Sequence, residues 1–127
     1  MPVSPSSSVE AALLQYVELW VCRLAQGDWD AAMALIETFN HYGVRWTASD
    51  VRRALADYGK GVEPVVTDPR KLIQEPRASV IAFDDGTGYA VDYDLPLDGA
   101  WSDLTAQFEF LLSGDKYLAT LHDLHVL

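Results

Sequence analysis

Tyr89-Ala90-Val91-Asp92-Tyr93-Asp94-Leu95 and Asp103-Leu104-Thr105-Ala106-Gln107-Phe108-Glu109-Phe110 alternate apolar and polar side chains with a period of two. A strand turns successive side chains to opposite faces, so each run predicts a sheet with one buried and one solvated side. Tyr89, Val91, Tyr93 and Leu95 share the apolar face of the first run; Leu104, Ala106, Phe108, Phe110 and Leu112 share that of the second. Asp92 and Asp94, then Asp103, Thr105, Gln107 and Glu109, fall on the other face. Agreement between the runs predicts an antiparallel sheet with an apolar underside and carboxylates outside.

The flanking segments supply the turns. Asp84-Asp85-Gly86-Thr87-Gly88 is rich in residues that tolerate positive φ and pairs Ser79–Phe83 with Tyr89–Leu95 as a hairpin. Ser113-Gly114-Asp115-Lys116 joins Ser102–Leu112 to Tyr117–Val126 as a second hairpin. In that last strand Leu118, Leu124 and Val126 alternate against Leu121 and Leu127, which predicts a bulge or burial on both faces. Upstream, Val62–Thr67 reads as a short strand that Pro64 confines to an edge, and residues 68–76 as a proline-bounded loop with room for one helical turn.

Before residue 60 the period is helical. Ser7 and Glu10 form a capping-box pair, and Val9, Leu13, Tyr16, Trp20 and Leu24 then recur on one helix face up to Gly27. Asp28 caps a second helix with the stripe Trp29, Met33 and Ile36, stopped by Asn40-His41-Tyr42-Gly43. Thr47 with Asp50 caps a third, whose stripe is Val51, Leu55 and Tyr58 and whose end is Gly59. Helices followed by an antiparallel sheet make the fold class α+β: three N-terminal helices on a four- or five-stranded sheet. Residues 1–8, rich in Ser and Pro, read as a flexible leader, and 9–127 as a single domain.

The 127 residues, 50% hydrophobic and 22% charged, suit one compact domain. One cysteine, Cys22, excludes an internal disulfide and a zinc cluster and fits a reducing, cytoplasmic setting. The N-terminus carries neither the basic nor the apolar stretch of a secretory signal, and no run approaches the roughly 20 apolar residues of a membrane span. Net charge is −10, which disfavours binding to a phosphate backbone. Its distribution is uneven: residues 45–77 hold seven bases and five acids, whereas residues 78–127 hold one base and nine acids. Such a field favours encounter with basic partners.

No catalytic signature emerges. His122 and His125 fall on opposite faces of a regular strand, so they cannot chelate one ion unless the strand is bulged, and no metal or other cofactor is expected. Asp92 and Asp94 have the spacing of an acid/base pair, but exposed carboxylates at this spacing are ordinarily just solvated. Cys22 sits among apolar neighbours as a small core residue. Gly86-Thr87-Gly88 is a lone turn, too slight to hold a phosphate. Trp20 and Trp29 belong to apolar stripes; Trp46 and Trp101, with Arg45, Arg52 and Arg53 near in sequence, are candidates for an interface.

Two resemblances rest on particular residues. Gly27-Asp28-Trp29-Asp30-Ala31-Ala32 after a long first helix, before a third helix and an antiparallel sheet, resembles the cone-shaped NTF2-like (cystatin-like) α+β superfamily. Trp101-Ser102-Asp103-Leu104-Thr105 and the closing Leu121-His122-Asp123-Leu124-His125-Val126-Leu127 resemble a family of small uncharacterised bacterial domains ending on a Ser-Asp-Leu-Thr … Asp-Ile-His-Val-Leu pattern, with Leu124 in place of the isoleucine. Small acidic members of that family resemble immunity proteins, which neutralise toxins. The leading expectation is a non-enzymatic, immunity-type binding protein whose acidic sheet face (Asp92, Asp94, Asp103, Glu109 and Asp123) docks a basic partner such as a toxin. The alternative is an NTF2-like small-molecule binder or enzyme with a pocket lined by Tyr16, Trp20, Tyr58, Tyr89 and Phe108. A third reading is a homodimer formed through the sheet or the Val62–Thr67 edge.

Overall fold

A computed structural model describes residues 9–127; the leader and the Ser7 half of the first capping box lie outside them. The architecture is α+β, with α1 (Val9–Ala25), α2 (Trp29–Ala34) and α3 (Ala48–Tyr58) preceding four strands, β1 (Ala78–Ala82), β2 (Gly88–Leu97), β3 (Ala100–Ser113) and β4 (Lys116–Val126). The strands form one antiparallel meander in the order β1-β2-β3-β4. The predicted caps of α2 and α3 are present: Asp28 Oδ1 accepts from Ala31 N at 3.2 Å, and Thr47 and Asp50 make a reciprocal box.

The period-two pattern places the core as expected. Val91, Tyr93, Leu95, Ala106, Phe108 and Phe110 are buried and meet Leu13, Val17, Trp20, Val21 and Leu24 of α1 in one cluster. Trp20 stands edge-on to Phe108 with ring centroids 5.0 Å apart, and Tyr16 edge-on to Phe110 at 5.6 Å. Leu112 departs from the pattern: it is exposed, one residue before β3 ends.

Three local expectations are revised. Only a single bridge, Val66 to Leu97, remains of the Val62–Thr67 strand, because Pro64 lacks an N–H and Val62 and Val65 face solvent. A 3₁₀ turn at Pro69–Lys71 follows it. Helix α2 ends at Ala34, since the next residues turn to β4: Glu37 N donates to Ala119 O at 2.7 Å. The β2–β3 connection is the two-residue Asp98-Gly99, with φ of 50° and 85°, so both strands run further than alternation alone indicated.

Two irregularities bend the sheet. Between the pairs Asp94–Thr105 and Pro96–Trp101, β2 supplies one residue and β3 three. Between Gln107–Asp123 and Phe108–Leu121, β4 carries His122 as an extra residue. The second is the bulge anticipated from the broken alternation, and it turns both Leu121 and Leu124 inward.

Candidate functional site

The bulge at His122 begins a groove of about 720 Å³ alongside the C-terminal half of β4. Residues 122–126 form one wall, Asp50, Arg53, Ala54, Asp57 and Tyr58 of α3 the opposite wall, and Asn40, Tyr42, Val44 and Trp46 close one side. The Thr47–Asp50 box fixes where α3 starts: Asp50 Oδ2 accepts from Thr47 N and Oγ1, each at 2.9 Å, and these bonds hold its carboxyl below the usual carboxylate range. Asn40 secures the closing loop. Its amide donates to Leu121 O at 3.2 Å and His122 O at 3.3 Å, while its Oδ1 accepts from Tyr42 N and Val44 N. Tyr42 then stacks on His122 with centroids 5.4 Å apart.

The bulge also brings His122 towards the side of the sheet carrying Glu109. His122 Nδ1 lies 3.5 Å from Glu109 Oε1, and His125 Nδ1 lies 2.9 Å from Asp123 Oδ2 without the alignment of a hydrogen bond. Each imidazole has its own carboxylate neighbour. Among the described residues no three His, Cys, Asp or Glu side chains gather as metal ligands.

The five predicted carboxylates do not form one uniform surface. Asp92 and Asp123 flank Gln107 in register on adjacent strands, roughly 10 Å apart at about 4.8 Å per strand. Glu109 is two residues along β3 from Gln107. Asp94 is tied down, 3.2 Å from Arg77 Nε and accepting from Thr105 Oγ1 at 2.7 Å. Asp103, within the β2–β3 irregularity, accepts from Tyr58 Oη of α3 at 2.5 Å, a bond that raises the tyrosine pKa. Among the described residues, Asp92 alone of the five makes no hydrogen bond or ion pair; Glu109 and Asp123 each lie beside a histidine, and Asp94 and Asp103 are hydrogen-bonded within the fold.

The predicted aromatic pocket is filled. Trp20 and Phe108 pack against each other in the core, Tyr89 packs on Tyr117, and Tyr16 donates to Leu35 O at 2.7 Å, its pKa pushed up to about 12 by burial and Glu37. Only Tyr58 of that set lines the groove, because large aromatics on facing apolar stripes meet each other instead of enclosing space. Cys22 is buried, its thiol pushed up by burial and by Asp68. Of the residues singled out for an interface, Trp46 and Arg53 reach the groove; Trp101 Nε1 donates to Gln74 O at 3.1 Å, and Arg52 pairs with Glu63 at 3.0 Å and lies over Trp29. In the sequence Asn40 and Tyr42 read only as part of a helix stop, and nothing singles out Val44. Their spacing gives no clue that a loop returns to β4 some 80 residues later.

Helices on one face of a four-stranded meander, with a groove along the last strand, define a small α+β domain. Residues 21–127 match the family of the domain of unknown function DUF7668, and the chain belongs to that family. No curated protein and no solved structure matches it. No helix among the described residues is long and apolar enough to cross a membrane.

Proposed function

We propose that this is a non-enzymatic binding domain that docks a basic protein through the acidic outer face of its sheet, in the manner of an immunity-type inhibitor. The observation that carries this reading is the pairing of Asp92 and Asp123 on either side of Gln107, on a sheet segment with nine acids and one base. The Asp92 carboxylate makes no hydrogen bond or ion pair among the described residues, so a partner's cation meets it without first breaking an internal contact. Steering by such a field raises association rates and weakens as salt screens it over about 8 Å at physiological ionic strength. An NTF2-like pocket is less well supported, since four of its five aromatics are packed against other groups.

Capture from the source lysate at low and high salt tests the reading. The expected result is a basic protein retained by the natural chain at low salt, released at high salt, and not retained by Asp92→Lys. Equal capture by the natural chain and the variant would contradict it.

A further inference from the structure

We infer that the outer edge of β4 accepts, as a fifth strand, an extended segment of a partner protein that alternates apolar and basic side chains. This rests on the basic-partner reading above and assigns it a docking place.

The first half of that edge is already covered. Glu37 N and Thr38 N donate to Ala119 O, Thr120 Oγ1 donates to Thr38 O at 2.7 Å, and Asn40 takes the carbonyls of Leu121 and His122. Cover stops at the bulge. Leu124 N then donates to the Oδ1 of its own neighbour, Asp123, at 2.8 Å, and among the described residues no main-chain group from outside the sheet bonds to residues 123–126. Outward groups recur at every second residue of an antiparallel ladder, so Val126 N–H points the same way as that of Leu124. Residues of both parities, Asp123 and His125 as well as Leu124 and Val126, line the groove, so it is the strand edge that faces the space. The arrangement, a strand edge facing a helix, is one that takes up extended peptides by strand addition.

Charge selects the occupant. Among the described residues, Asp50, Asp57 and Asp123 line the groove against Arg53, which itself lies 3.9 Å from Asp50, and the imidazoles of His122 and His125. A second copy of the chain would bring the same acids and another −10 to the edge, so a basic segment fits and self-pairing does not. Side chains of an added strand alternate: one set would reach Trp46, Ala54 and Leu124, the other Asp123 and the acidic face.

The probe is an acetylated, amidated heptapeptide alternating lysine and valine, followed by amide shifts on the ¹⁵N-labelled full chain. Controls are a glutamate–valine counterpart and two forms N-methylated at the lysines or at the valines. The expected result is saturable binding that moves the amides of residues 122–126 and α3, lost in one N-methylated form and kept in the other. Val126→Pro removes an outward N–H from a residue 48% exposed and should weaken binding about tenfold. Shifts confined to Asp92 and Glu109, or affinity indifferent to both backbone changes, would overturn the inference and leave the basic-partner reading standing. Equal binding of lysine and glutamate peptides would sink both. A dimer of the free chain that Val126→Pro dissociates would give the edge to a second copy and also overturn it.

Discussion

Thr47 fixes where α3 begins, and through α3 one wall of the groove. Thr47→Ala removes an N-cap that accepts from Asp50 N at 3.2 Å and should cost about 1 kcal/mol, read from a urea melt. Asp50 is held below its ordinary pKa by the same box. A carboxyl with a depressed folded-state pKa stabilises the fold above its unfolded value, near 4, and loses that contribution as pH falls through the folded one. The acid limb of the stability profile should therefore flatten in Thr47→Ala. Asp68 offers a parallel case, drawn down to about 2 by its bond to Arg70 at 2.8 Å. Arg70→Gln should return Asp68 towards its ordinary value and flatten the profile between pH 4 and 2; an unchanged acid limb would show that this exposed pair contributes nothing measurable.

Strand β4 combines a covered first half, a bulge and an open end, and one buried side chain ties these together. Asn40→Ala strips partners from Leu121 O, His122 O, Tyr42 N and Val44 N at once. The expected loss is about 3 kcal/mol, with faster hydrogen exchange over residues 38–46 and little change at Phe108. The caps, the apolar stripes and the inward face of the sheet were legible because each depends on a few neighbouring residues. The bulge was legible too, since Leu121 and Leu124 cannot share a face of a regular strand. Three features were not. The short α2 and the Asn40 anchor depend on a partner strand some 80 residues away, and the bond from Tyr58 to Asp103 joins residues 45 apart in the chain. The α3 and β4 walls of the groove were therefore foreshadowed in the sequence, and the loop of residues 40–46 that closes it was not.

Across the whole molecule, bases gather in residues 45–77 and acids in 78–127, and folding consumes part of that contrast. Arg52 and Arg70 pair with Glu63 and Asp68 inside the basic segment, and Arg77 alone of the three reaches an acid of the second, Asp94, leaving a sheet face whose middle carries Asp92, Glu109 and Asp123. Charge reversal at Asp94 is a poor probe, because it would break the contacts with Arg77 and Thr105 as well as any partner contact. Asp92 is the better target because it makes no such contact among the described residues, and Asp123, 43% exposed, has only the local contacts with Leu124 N and His125 at the open end of β4. The decisive measurement is the association rate of the captured basic partner with the natural chain and with Asp92→Lys/Asp123→Lys, as a function of salt. The expected result is a rate that falls steeply with salt for the natural chain and is about tenfold lower and nearly salt-independent for the variant. Equal rates with equal salt dependence would show that the acidic face takes no part in binding.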